Sequence, residues 1–156
     1  MKLRGLSHVF LFVTDIEKSR AFYRDVLGLE VLEEDPDHGG TFLAIPGSTH
    51  IVDMVPTAGP KPEPPKMEKG YRPKPGVGHM AFHVASHEDL RDAYFELLDK
   101  GVNVFAKADH KSQQSVYFLD PDNNVLELCW ERPNARELYM GGRGDDDGDL
   151  VFERPA

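Results

Sequence analysis

Two histidines and a glutamate stand where apolar side chains are the rule. His8 opens HVFLFV (8–13), His79 opens HMAFHV (79–84), and Glu127 sits inside VLELCW (125–130). An ionisable group in such a run is costly to bury unless a partner compensates it. Two imidazoles and one carboxylate are also the ligand set that holds a non-haem Fe(II) and leaves positions open for other molecules. If the three converge, they make a metal centre with a ready substrate site.

The elements that must position them are written twice. Residues 8–32 and 79–105 each begin with a histidine that opens an apolar strand. Each then offers a helix cap with an acid three residues on, Thr14 with Glu17 and Ser86 with Asp89, the spacing of a capping box. The helices are expected to bury Ile16, Phe22, Tyr23 and Val26 in the first copy, and Leu90, Ala93, Tyr94, Leu97 and Leu98 in the second. Each ends at a glycine suited to a left-handed C-cap, Gly28 or Gly101. Three strands follow: LEVLEE, TFLAI and HIVDMV in one copy, NVFAKA, SVYFL and VLELCW in the other. Both modules therefore read β-α-β-β-β.

Between them, residues 56–76 hold seven of the twelve prolines and can sustain neither a helix nor a central strand. This segment is a linker or a lid. The expected division is a single domain over 1–131, made of modules 5–55 and 77–131, followed by an irregular, acidic, Gly-rich tail over 132–156. Only LVFE at 150–153 stands out in that tail as a patterned stretch.

A net charge of −9 argues against an extended nucleic-acid surface. No apolar run approaches the ~20 residues a membrane span requires. The N-terminus runs straight into a strand pattern, so no signal peptide is expected. The one cysteine, Cys129, excludes an intramolecular disulfide and suits a reducing, cytoplasmic setting, where it packs as a small hydrophobe.

Paired βαβββ modules with a metal ligand at each first strand resemble the vicinal oxygen chelate superfamily. That group includes glyoxalase I, fosfomycin-resistance enzymes, bleomycin-binding proteins and type I extradiol dioxygenases. The FYRDVLGLEV and YFLDPDNNVLEL segments also look like its characteristic stretches, so the resemblance covers about residues 5–131. It implies an α+β fold whose paired modules form an open mixed-sheet barrel, with His8, His79 and Glu127 as the ligands.

Three further residues resemble those of a one-domain extradiol dioxygenase. Tyr117 lies ten residues before Glu127, where these enzymes place an active-site tyrosine. His50 opens the fourth strand, where they place an acid/base histidine, a residue type suited to taking and returning a proton at neutral pH. His110 lies seven residues before Tyr117, about two short of the family spacing. The implied chemistry is ring opening of a catechol-like aromatic diol with O2 on Fe(II), or on Mn(II) in its place. A dimer or larger homo-oligomer is expected, with no nucleic-acid or membrane partner.

The competing assignment is a four-ligand, glyoxalase-like site with Asp53 as a second carboxylate, holding Zn(II), Ni(II), Mn(II) or Mg(II). It would serve a lyase, an epimerase or a thiol transferase. His50 and Asp53 are separated by an odd number, so a regular strand turns only one of them inward. Superposing the copies through Pro46 and Pro121 makes His50 inward and Asp53 outward, and a turn one residue different reverses this. A third reading, from another class, is a metal-free binding or resistance protein. Of the remaining histidines, His83 shares a face with His79, His87 is expected at the surface of the second helix, and His38 in a loop.

Overall fold

Both copies of the repeat fold as βαβββ in the computed structural model, which describes residues 1–66, 75–142 and 147–155. The first runs β1 (Val9–Val13), α1 (Ile16–Asp25), β2 (Glu30–Glu34), β3 (Thr41–Ala44) and β4 (His50–Pro56). The second runs β5 (Met80–His83), α2 (His87–Asp99), β6 (Val104–Asp109), β7 (Gln113–Leu119) and β8 (Val125–Glu131). A last helix, α3, spans Ala135–Met140. The chain divides into two compact units, 1–63 with 121–123, and 64–120 with 124–156.

Each unit is one four-stranded mixed sheet, ordered β1-β4-β3-β2 or β5-β8-β7-β6. The first and last strands of each module pair in parallel; the other pairs are antiparallel. Alternation along the strands gives every sheet one apolar face, and the module's helix covers it. In the first unit, Leu43, Val52 and Met54 are buried on that face, as is Tyr23 of α1. In the second, Val116, Phe118, Leu126 and Leu128 are buried, with Leu90 and Leu97 of α2. Leu98, expected inside, is 40% exposed, because it falls just beyond the buried stripe of α2.

The caps explain how the strands hand over to the helices. Ser86 accepts from the Asp89 amide at 3.0 Å, as the spacing predicts. In α1 the cap is Asp15, which accepts from the Lys18 amide at 3.1 Å, and not Thr14. Thr14 is engaged elsewhere in its unit, donating through its amide at 3.2 Å and its hydroxyl at 2.5 Å to the buried carboxylate of Asp122. The Ser19 hydroxyl donates to the same carboxylate at 3.3 Å. Gly28 and Gly101 both end their helices at φ +70°, the left-handed region glycine enters without strain.

Two regions differ from expectation. The segment after 131 is not an irregular tail: it forms α3, buries Leu150, and pairs Gly148 with Asp109 at the end of β6. Phe152 stacks beside Tyr94 and His87, with centroids 5.4 and 5.6 Å away, so His87 is part of a packed cluster rather than a surface residue. In the Pro-rich segment, residues 57–66 have no regular structure, and Pro62 accepts from Asn123 at 2.7 Å. The rest of the linker-or-lid region, 67–74, lies outside the described residues, as do Asp145 and Asp146 of the acidic run. Among the described residues no helix is long and apolar enough to cross a membrane.

Candidate metal centre

The face of each sheet that no helix of its module covers carries the ionisable residues. In the second unit Glu127 pairs with Ala81 on β5 and with Tyr117 on β7, so its side chain emerges beside that of Tyr117. His79 immediately precedes β5 and points the same way as Ala81. Its Nε2 lies 2.8 Å from Glu127 Oε2. The other carboxylate oxygen, Oε1, accepts from the Ser115 hydroxyl and from the Gln113 amide at 2.8 Å. Glu127 is 1% exposed.

Burying a carboxylate costs several kcal/mol. Here two neutral donors hold one oxygen while the second faces an imidazole nitrogen. Sequence reasoning missed Ser115 and Gln113. Their even spacing from Tyr117 along β7 was the available signal, since residues two apart share a face.

Tyr117 and His110 complete this face. The Tyr117 hydroxyl and His110 Nε2 are 2.9 Å apart, and the Tyr117 ring meets His79 edge-on with centroids 5.6 Å apart. His110 stands at the tip of the β6–β7 hairpin, where its amide donates to the Gln113 carbonyl. Ala106 and Ala108 share the face and leave room for the imidazole to lie back toward Tyr117. His110 and Tyr117, seven residues apart in sequence, thus meet across the hairpin. Burial and the adjacent Glu127 charge push the Tyr117 hydroxyl up to about 12, so it remains a protonated donor at neutral pH. Beside the pair opens a pocket of about 290 Å³ lined by Pro65, Phe105, Ala106, His110, Tyr117 and Val125. His83 Nδ1 lies 3.8 Å from the sulfur of Cys129, which is buried as expected.

The first unit presents an equivalent group. Val9 pairs with Val52 and Phe10 with Asp53, as Met80 pairs with Leu126 and Ala81 with Glu127. Asp53 is therefore the structural counterpart of Glu127, and His8 that of His79. His8 Nε2 lies 3.7 Å from Asp53 Oδ2, and His50 Nδ1 lies 2.7 Å from Asp53 Oδ1. The His8 and His50 rings stack at 4.6 Å. The ligand atoms of His8, His50 and Asp53 all lie within 4.8 Å of one another.

The expectation that Asp53 faces outward is corrected, since Asp53 is 3% exposed and shares the face of His50. The cause is a bulge. β4 pairs Leu43 with Val52 but Ala44 with His50, leaving Ile51 as an extra residue that resets the alternation. Parity arguments assume a regular strand, and this strand is not regular.

The sequence profile of the Glyoxalase/Bleomycin resistance protein/Dioxygenase superfamily matches residues 5–128. Biphenyl-2,3-diol 1,2-dioxygenase 3 of Rhodococcus globerulus is 32% identical over 141 residues, covering 88% of this chain and 70% of the relative. Metallothiol transferase FosB of Staphylococcus epidermidis is 31% identical over 133 residues, covering 81% and 83%. The solved glyoxylase/bleomycin resistance protein/dioxygenase domain from Frankia sp. EAN1pec superposes with a TM-score of 0.67 at 25% identity, covering 84% of this chain and 100% of that one.

Proposed function

The chain belongs to the glyoxalase/bleomycin resistance protein/dioxygenase superfamily, and on that premise we propose that it is a one-domain, Fe(II)-dependent extradiol-type dioxygenase that opens a catechol-like ring with O2. His8, His79 and Glu127 would hold the metal. The observation that carries the reading is the His110–Tyr117 pair, bonded at 2.9 Å on the face that bears His79 and Glu127. A ligand pair alone does not choose among the metal-dependent members of the superfamily. A half-buried phenol backed by an imidazole suits a substrate whose own oxygens must be hydrogen-bonded and relieved of protons. The 32% identity to a biphenyl-diol dioxygenase supports the same choice.

When bound, iron supplies the positions where two adjacent substrate oxygens and O2 meet and lowers the pKa of the substrate hydroxyl. The chain's own groups do the rest. The Tyr117 hydroxyl has one hydrogen, shared with His110 Nε2 at 2.9 Å until a substrate oxygen arrives to accept it. His50 engages Asp53 through Nδ1, leaving Nε2 to take a proton from substrate and return it. Phe105, Val125 and Pro65 give the pocket apolar walls, and its ~290 Å³ is near the lower end of ligand cavities, sized for a single ring with a short substituent.

Replacing Tyr117 by Phe removes the hydroxyl and keeps the ring. Ring cleavage is expected to slow by about 10²-fold, the lower range for a positioned proton donor, while metal content stays at that of the wild type. Steady-state kinetics together with elemental analysis check both halves.

One observation favours a second reading: Asp53 occupies the counterpart of the Glu127 position and is almost fully buried. That makes a four-ligand site of His8, Asp53, His79 and Glu127 chemically coherent, as a glyoxalase-like lyase or a thiol transferase would use with Zn(II), Ni(II) or Mn(II). Metal preference separates the two. The chain is purified without added metal, then offered Fe(II), Mn(II), Zn(II) and Ni(II) in turn. The dioxygenase reading expects one ion per chain and ring cleavage with Fe(II) or Mn(II), with Asp53→Asn still metal-bound. Activity confined to Zn(II) or Ni(II), with metal lost in Asp53→Asn, would establish the second reading instead.

A further inference from the structure

The segment after β8 sends two side chains back to the residues that serve the site, both within the second unit. From α3, the Tyr139 hydroxyl donates to Gln113 Oε1 at 2.8 Å, and Gln113 Nε2 in turn donates to Glu127 Oε1 at 2.8 Å. Farther on, Gly148 pairs with Asp109 through two backbone hydrogen bonds, of 2.8 and 2.9 Å. That bridge brings Asp147 to His110, its Oδ1 lying 2.8 Å from His110 Nδ1. The bridge itself is well anchored, because the Asp109 carboxylate accepts from Arg132 and Gln114.

A neutral imidazole has one donor nitrogen and one acceptor nitrogen, and the partner of one decides the role of the other. A carboxylate at Nδ1 favours the form with the proton there. Nε2 is then an acceptor, and the nitrogen 2.9 Å from the Tyr117 oxygen is Nε2. With the proton on Nε2, the imidazole would donate to the phenol oxygen instead, and His110 would offer the Tyr117 hydroxyl no acceptor.

We propose that Asp147 is a positioning residue for His110: it holds the imidazole proton on Nδ1 and so presents the Nε2 lone pair to the Tyr117 hydroxyl. The region after 131 is then a working part of the site. The consequence for ring cleavage rests on the reading given above for Tyr117, but the effect on His110 does not, and the two are measured separately.

The full-length chain is labelled with 15N-histidine and studied by long-range 1H–15N NMR, with and without Zn(II) as a diamagnetic divalent ion. The wild type is expected to show His110 with a protonated Nδ1 and an unprotonated Nε2. Asp147→Ala should shift His110 largely to the Nε2-protonated form, and Asp147→Glu should restore the wild-type pattern. Gly148→Pro deletes the amide that anchors the bridge but keeps Asp147, and should behave as Asp147→Ala does.

In the ring-cleavage assay, Asp147→Ala should lower kcat about tenfold with KM little changed, and Asp147→Glu should recover most of the loss. An unchanged His110 pattern in Asp147→Ala overturns the proposal. A shifted pattern in a chain that cleaves no catechol supports the positioning role while counting against the dioxygenase reading.

Discussion

Glu127→Gln is expected to abolish stoichiometric metal binding and ring cleavage while leaving the fold intact. The two effects separate because the carboxylate has two kinds of partner. Its Oε1 accepts from Ser115 and Gln113, and the glutamine carbonyl oxygen can accept from both. The charge facing His79 at 2.8 Å is lost, and with it the oxygen proposed to meet the metal. Removing a group that merely supports a ligand costs about 10–100-fold in affinity, so loss of the ligand itself should exceed that. The folded chain should be as stable as the wild type without metal, since a neutral isostere relieves the cost of a buried charge. Isothermal titration with Fe(II) or Mn(II) under argon and a urea unfolding curve read the two halves. Wild-type metal affinity in this variant would remove Glu127 from the ligand set.

The second large effect concerns stability. Asp122→Ala should lower the free energy of unfolding by about 3 kcal/mol, because three donors lose their acceptor together. These are the Thr14 amide, the Thr14 hydroxyl and the Ser19 hydroxyl, and Asp122 is 2% exposed. A loss of that size is a large fraction of the ~5–15 kcal/mol that holds a typical domain. Asp122→Asn keeps one oxygen acceptor and should lose roughly half as much. Urea denaturation midpoints check both, and a loss under about 1 kcal/mol in the alanine variant would show that Thr14 and Ser19 find other partners.

Residue type and spacing carried most of the fold because the repeat is local. Each opening strand alternates, each helix has a cap and a terminal glycine, and each meander has its turn residues. The cap of α1 was misread because Thr14 and Asp15 are both good caps; a partner 108 positions away, Asp122, decides between them. Such a contact leaves no trace in spacing. The same holds for Asp53. Its inward position depends on the bulge at Ile51, and no glycine or proline marks that bulge. From its Gly and Asp content the region after 131 reads as an irregular tail. Its order comes from scattered contacts, Leu150 buried, Phe152 on Tyr94 and Gly148 on Asp109, none of which has a period. His79 and Glu127 were legible as ionisable residues inside apolar strands, and Tyr117 and His110 only through the spacing that the family resemblance supplies.

Oxygen uptake tests the central claim most directly. The chain is purified anaerobically, loaded with Fe(II), and mixed with catechol in an oxygen electrode cell while product colour is followed. One O2 should be consumed per catechol, with a yellow ring-opened product, and neither signal should appear with Zn(II) or in Glu127→Gln. Stoichiometric Fe(II) binding with no oxygen uptake across a panel of substituted catechols would contradict it.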